Sequence, residues 1–322
     1  MGAAFSNFKE TTWPVVAQMY PPKSKFTVDQ IPDLAGRVAI VTGGNVGLGY
    51  ETIKALLQHD AKVYLAARSE EKAKAAISSL KKETGKEAIF LKLDLASLAA
   101  VKEAVDVYLS KENELHILFN NAAVMWPPMD ELSKDGYDLQ WGTNVVGHWY
   151  LTELLIPALS AGAKTSPDHH ARVITTASSG AYLDTLHFDT FKDGPARRKM
   201  STEALYYQTK HANVVVARQV AKRYAAQGII SISVNPGNLK TELQRYIPAM
   251  QRKIMGYTLL YPSSYGALTQ LYAGTMPDAL NYNGEFMIPW ARLGKCRREA
   301  YDDEIGDRLW KWLQDEVEAH RG

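Results

Sequence analysis

Short apolar runs alternate with amphipathic stretches along most of this chain. The first run, Val38-Ala39-Ile40-Val41, is apolar at every position. A strand covered on both faces reads this way, so 37–42 predicts a strand inside a sheet. The pattern returns at 62–67, 88–93, 115–119, 171–177 and 229–234, and more briefly at 284–288. Stretches of helical period separate the runs: 47 to about 58, then 70–82, 97–111, 136–158, 201–227, 263–273 and 300–319. Regular alternation of strand and helix predicts an α/β fold. Its expected form is a doubly wound parallel sheet of about seven strands, flanked by helices, in a single domain. Residues 1–36 precede the first strand, and Pro14, Pro21, Pro22 and Pro32 interrupt any long helix there, so they read as a leader. The domain itself is expected over 37–295, with a last helix in 296–322.

In an open parallel sheet, ligands bind beyond the carboxyl ends of the strands. The first strand runs into Gly43-Gly44-Asn45-Val46-Gly47-Leu48-Gly49 and then a helix. Small residues there let the backbone approach a pyrophosphate, and the free N–H groups at the helix start attract its charge. This is the start of a Rossmann-type dinucleotide unit, with candidate contacts at Gly43, Asn45, Gly47, Leu48 and Gly49. The second strand ends Ala66-Ala67-Arg68. An acidic residue at this point would accept the adenosine ribose hydroxyls of NAD. Arg68 instead suits a 2′-phosphate, so the expected cofactor is NADP(H) rather than NAD(H). Glu70 and Glu71 read as the first turn of the next helix. Asp94, with Leu95 beside it, either accepts from the adenine amino group or caps the helix that follows. Asn121 and Ala122 close the fourth strand, and Ser178-Ser179-Gly180 the fifth. Pro236, Gly237, Leu239 and Thr241 follow the sixth, where Thr241 can donate to a phosphate or carboxamide.

Two further positions carry candidate chemistry. Tyr206 and Lys210 stand four apart in a helical run and so share one face. A free phenol titrates near pH ~10, and a cation held beside it favours the phenolate. That pairing can make Tyr206 a general acid/base, although the same spacing also suits a solvated helix face. Asn144 lies mid-helix, where an amide competes with the backbone. It reads as a bent or water-bearing segment at a site, or as an Asn facing solvent. Residues 180–200 read as a polar insertion at the mouth of a site, and 237–262 as an apolar lid or an ordinary core segment.

Composition narrows the field. With 322 residues, 46% of them hydrophobic, the chain can build an ample core. A net charge of +2 gives no pull toward nucleic acid, and no metal-ligand spacing is present. The single cysteine, Cys296, excludes an intrachain disulfide and fits a reducing, intracellular and cytoplasmic setting. Its basic neighbours could lower its pKa, or it is a bystander. No apolar run reaches about eighteen residues, the length that reads as a membrane-spanning helix. The start Met1-Gly2-Ala3-Ala4-Phe5-Ser6 matches an N-myristoylation pattern. If Gly2 is acylated, weak membrane association follows, with Phe5, Phe8 and Trp13 adding grip or folding back on the domain.

Taken together, Thr42-Gly43-x-x-x-Gly47-x-Gly49, Asp94, Asn120-Asn121-Ala122-Ala123, Asn144, Ser178, Tyr206-x-x-x-Lys210 and Pro236-Gly237-x-x-x-Thr241 resemble the short-chain dehydrogenase/reductase family over about 37–290. Arg68, Asn45 and the long 180–200 loop look most like its retinol-dehydrogenase-like and WW-domain-oxidoreductase-like branch, in fungal form. Ala123 departs from the Gly common after Asn-Asn-Ala. The resemblance implies that Tyr206 exchanges a proton with substrate and that Lys210 holds the nicotinamide ribose and tunes Tyr206. It implies that Ser178 bonds the substrate oxygen, with Ser179 a second candidate, and that Asn144 keeps a water behind Lys210. The substrate would be a small apolar carbonyl or alcohol. A homodimer is left open, because the family's helices near 136–158 and 201–227 often pair. The other reading is a non-catalytic dinucleotide-binding regulatory or scaffold protein of the same fold.

Overall fold

The computed structural model describes residues 12–240, 242–246 and 260–318. Eight strands form one sheet in the order β3-β2-β1-β4-β5-β6-β7-β8. They are β1 (Val38–Thr42), β2 (Lys62–Ala67), β3 (Ile89–Lys92), β4 (Ile117–Asn120), β5 (Ala171–Thr176), β6 (Ile229–Val234), β7 (Phe286–Ile288) and β8 (Arg292–Gly294). All neighbours pair parallel except β7 and β8. The expectation of about seven strands misses β8. That strand has three residues, lies at the sheet edge, and carries Leu293 at 51% exposure, so no buried run marks it.

Both faces of the sheet are covered, and the strands divide their side chains between them. Val38 and Ile40 point into one core cluster; Ala39 and Val41 point into the other. On the second side lie α2 (Gly47–Gln58), α3 (Glu70–Thr84) and α7 (Ser263–Thr275). On the first lie α4 (Leu98–Leu109), α5 (Gly147–Thr165), α6 (Thr202–Tyr224) and α8 (Asp303–Val317). A short leader helix, α1 (Trp13–Met19), also reaches this side through Val15.

Local chemistry sets the helix ends. Ser69 caps α3 by accepting from Lys72 N, with Glu70 and Glu71 in the first turn and Lys81 and Lys82 in the last. Gly85 then stops it in the left-handed region, at φ 74°. Ser97, not Asp94, caps α4. Asp94 instead turns back on its own loop, accepting from Ala96 N at 3.1 Å. The helix expected over 136–158 starts later and ends later. Asp138 caps a single turn at Leu139–Trp141, a wide π turn follows at Gly142–Val146, and α5 continues to Thr165.

Residues 180–200 divide between two places. Gly180 and Leu183 line the cavity at the strand ends. Phe191 is buried and stacks on Trp141, with ring centroids 3.5 Å apart. It lies among polar positions, which hides this in the sequence. Helix α8 lies across α5 and α6. Trp310 meets Trp149 edge-on at 5.4 Å, and Arg223 Nη2 meets Asp307 Oδ1 at 2.7 Å. The chain's own last helix thus packs on part of α5 and α6, the helices near which the family resemblance places subunit pairing.

The buried pair Asp138–Arg197 holds the start of this region. Both side chains are 2% exposed, with Nε to Oδ2 at 2.9 Å. Asp138 Oδ1 accepts from Gln140 N and Trp141 N, and Arg197 Nη2 donates to Met129 O. Arg197 also meets the partly exposed Asp193 at 3.2 Å, so removing Asp138 leaves the buried guanidinium with that one weaker partner. Asp138→Ala should therefore cost about 3 kcal/mol of stability in a denaturation experiment. A loss under about 1 kcal/mol would show that Asp193 alone suffices to hold Arg197.

Candidate active site

The carboxyl ends of β1, β4, β5 and β6 open onto a cavity of about 600 Å³. The turn after β1 supplies Gly43, Asn45, Gly47, Leu48 and Gly49 to its wall. Gly43 and Gly47 sit at φ 67° and 54°, where side chains are disfavoured. A Cβ on Gly49 would lie 2.5 Å from Gly43 O and 2.8 Å from Asn121 Nδ2, so the turn tolerates no larger residue. Behind the turn, the buried Thr42 hydroxyl joins two strand ends. It accepts from Asn121 N and Ala122 N, both at 2.9 Å, and lies 2.9 Å from His148 Nε2. Burial pushes the His148 imidazole down to about 3, so the ring stays neutral.

From β2, Arg68 lines the cavity at an exposed position, and Lys72 on the first turn of α3 lines it too. Asp94, Leu95, Asn121 and Ala122 lie on the same wall. Pro236, Gly237 and Leu239 enter from the segment after β6. Thr241 lies outside the described residues, as do Gly2, Phe5, Phe8 and most of the expected lid. Of that lid, Leu243, Gln244 and Leu260 line the cavity.

Helix α6 brings Tyr206 and Lys210 to the cavity's inner wall, at 5% and 1% exposure. The solvated-face reading of these two residues is therefore excluded. Lys210 Nζ donates to Thr176 O at 2.9 Å, and Asn213 Nδ2 donates to the same carbonyl at 3.2 Å. Burial pushes the Lys210 amine down to about 7. Burial also raises the Tyr206 phenol above its usual range, opposed by a hydrogen bond with Ser178. This reverses the direction expected from the Tyr/Lys spacing. Nζ stands 5.5 Å from the ring centroid and spends its hydrogen bond on the backbone, so desolvation outweighs its charge. Ser178 Oγ accepts from Gly180 N at 3.1 Å. Ser179 also lines the cavity.

Asn144 is placed differently. It is fully buried in the π turn, so the solvent-facing reading is excluded and the bent one holds. It lies behind the cavity wall, and its amide is fully used. Oδ1 accepts from Val124 N at 2.8 Å, while Nδ2 donates to Val124 O and Thr209 Oγ1 at 2.9 and 3.1 Å. The side chain therefore pins the loop after β4 to α6. Cys296 is a bystander: it is buried, and burial pushes its thiol up to about 12 despite the basic neighbours. Among the described residues no cluster of metal-ligating side chains occurs, and no helix is long and apolar enough to cross a membrane.

Comparison with known proteins matches this geometry to a family. Residues 37–189 match the model for short chain dehydrogenase. A short-chain dehydrogenase/reductase of Armillaria gallica is 59% identical over 94% of this chain and 97% of its own length. One from Phomopsis amygdali is 37% identical over 99% and 100%, and an uncharacterized oxidoreductase of Schizosaccharomyces pombe is 38% identical over 89% and 87%. Among solved structures, an uncharacterized protein of Mycobacterium paratuberculosis superposes with a TM-score of 0.71 at 25% identity, over 92% of this chain and 98% of that one. L-sorbose reductase of Gluconobacter frateurii, solved with NADPH and L-sorbose, superposes at 0.62 and 20% identity, over 81% and 98%, which supports the fold alone. The chain belongs to the short-chain dehydrogenase/reductase family, and is an oxidoreductase of fungal type within it.

The displaced ionisation of Lys210 has a consequence for stability. Unfolded, the amine holds its proton to about pH 10.5; folded, only to about 7. Between these values the unfolded chain binds more protons, so stability rises with pH. In nucleotide-free protein, the melting temperature of wild type should climb relative to Lys210→Met from pH 7 to pH 9. A difference that stays flat across that window would mean Lys210 ionises as an ordinary lysine.

Proposed function

We propose that this protein is an NADP(H)-dependent oxidoreductase that interconverts an apolar carbonyl compound and its alcohol, with Tyr206 as general acid/base. The observation that supports this most is the convergence of Tyr206, Lys210 and Ser178 on the wall of the cavity that also holds the glycine turn. The residues present fit the dinucleotide. Gly43 and Gly47 hold left-handed backbone and Gly49 packs against Gly43 O, which keeps the turn tight on the cavity wall, and Asn121 Oδ1 is buried without a partner beside it among the described residues. Arg68 and Lys72 would meet the 2′-phosphate, and Arg68 makes no ion pair among the described residues. When bound, the cofactor supplies the hydride; the protein supplies placement and charge.

The roles of the side chains follow from their surroundings. Tyr206 hydroxyl lies where it can give a proton to a carbonyl oxygen or take one from an alcohol. Ser178 is placed to hold that oxygen and to orient the phenol. Lys210 lies beside the ring with a depressed pKa, so proton movement at Tyr206 and charge at Lys210 are coupled. Asn144 acts as a positioning residue through Val124 and Thr209. Substrate apolarity is read from the wall, where Val15, Met19, Leu183, Leu243 and Leu260 meet the cavity.

Tyr206→Phe should keep NADPH binding and lower the turnover of ketones or aldehydes by about 10²–10⁴-fold, measured by absorbance of the reduced cofactor. Turnover at the wild-type level would remove Tyr206 from the mechanism. Arg68→Ala should raise the Michaelis constant for NADPH by about ten- to a hundredfold, with a much smaller effect on NADH. Equal effects on both would exclude a contact with the 2′-phosphate.

A further inference from the structure

The leader helix α1 reaches the same cavity from outside the sheet. Its inward positions are Val15, Gln18 and Met19, spaced to share one helical face. Val15 and Met19 line the cavity. Gln18 is 5% exposed, and both ends of its amide are paired. Nε2 donates to the Tyr182 hydroxyl at 3.1 Å, and Oε1 accepts from Asn235 Nδ2 at 2.7 Å.

These two partners belong to the segments that leave β5 and β6. Tyr182 ends the turn that starts one residue after Ser178, and α1 packs on that turn. Its hydroxyl donates onward to Lys295 O at 2.6 Å. Asn235 precedes Pro236, and its Oδ1 accepts from Gly237 N at 3.0 Å. The helix is therefore fastened at the Ser178 end of the cavity, away from Arg68 and Asp94. Its outward face is exposed: Trp13 and Val16 are 57% and 43% exposed. A buried amide whose alternatives leave unpaired polar groups fixes position more firmly than apolar contact alone.

We infer that α1 is a built wall of the substrate chamber, in which Met19 and Val15 limit the length of apolar substrate and Gln18 latches the helix to both strand ends. This rests on the reading of Ser178 and Tyr206 as the reacting end. It makes Gln18 a positioning residue and Met19 a specificity-determining one, in a segment that the Rossmann unit does not need for dinucleotide binding.

The test uses the full chain and a series of straight methyl ketones of graded length. Two quantities are measured for wild type, Met19→Phe, Met19→Ala and Gln18→Ala: equilibrium ketone binding to NADP⁺-saturated protein by calorimetry, and initial rates with NADPH. Met19→Phe should weaken binding of the longest ketones by about tenfold or more while sparing the shortest. Met19→Ala should extend the accepted length, and Gln18→Ala should weaken all but the shortest. NADPH affinity should stay at the wild-type value in all three. The same length profile in wild type and Met19→Phe overturns the proposal, whether or not Gln18→Ala folds. Length-dependent binding that responds to residue 19 without turnover in any protein keeps the wall and defeats the oxidoreductase reading. Turnover with a profile indifferent to residue 19 does the opposite.

Discussion

An amine taken out of water must find a partner or lose its proton. Lys210 does some of each: its Nζ donates to the carbonyl that ends β5, and burial pulls its pKa down to about 7. That bond, with Asn213 Nδ2 on the same carbonyl, ties α6 to the strand whose next turn carries Ser178. It leaves Tyr206, one helical turn before Lys210, on the same cavity wall as Ser178. The rest of the site depends on this tie, because α6 carries Tyr206, the proposed acid/base, and the turn after β5 carries Ser178, proposed to orient it. Asn144 secures the same helix from the other side through Thr209.

The second support is the hydroxyl of Thr42. Parallel strands leave their carboxyl-end backbone groups unpaired, and those groups must be satisfied before a ligand can be met. Thr42 accepts from the two N–H groups that follow β4, and His148, kept neutral by burial, closes the arrangement from α5. The glycine turn can then sit open to a phosphate instead of collapsing onto the strand ends. Gly147 plays a matching part at the base of α5, where a Cβ would lie 2.3 Å from Leu95 O.

Much of this was legible in the residues. Seven strands announce themselves as buried runs, and the described candidate cofactor residues all line one cavity because strand-end chemistry is local in sequence. What escaped was carried by contacts distant in the chain. Nothing near Gln18 says that its amide bridges Tyr182 and Asn235, and nothing near His148 says that it meets Thr42. Lys72 was the nearest miss, four residues past Arg68 and on the turn that Ser69 caps. The Tyr206 ionisation was misjudged because helical spacing reports proximity and not burial. Within 180–200 the stacking of Phe191 on Trp141 is hidden, because Phe188 and Phe191 are scattered among charges. Helix α8, though foreseen as a helix, gave no sign of where it would dock.

These features together describe a chamber in which one buried helix holds Tyr206, the proposed proton donor, at the end of a sheet. The direct test of that account follows an isotope. Purified protein would be given an apolar ketone and NADPH carrying deuterium at the transferable nicotinamide position, and the alcohol product would be read by mass spectrometry. The account predicts one deuterium on the carbinol carbon, delivered to a single face. An alcohol without the label, or the label in equal amounts on both faces, would contradict it.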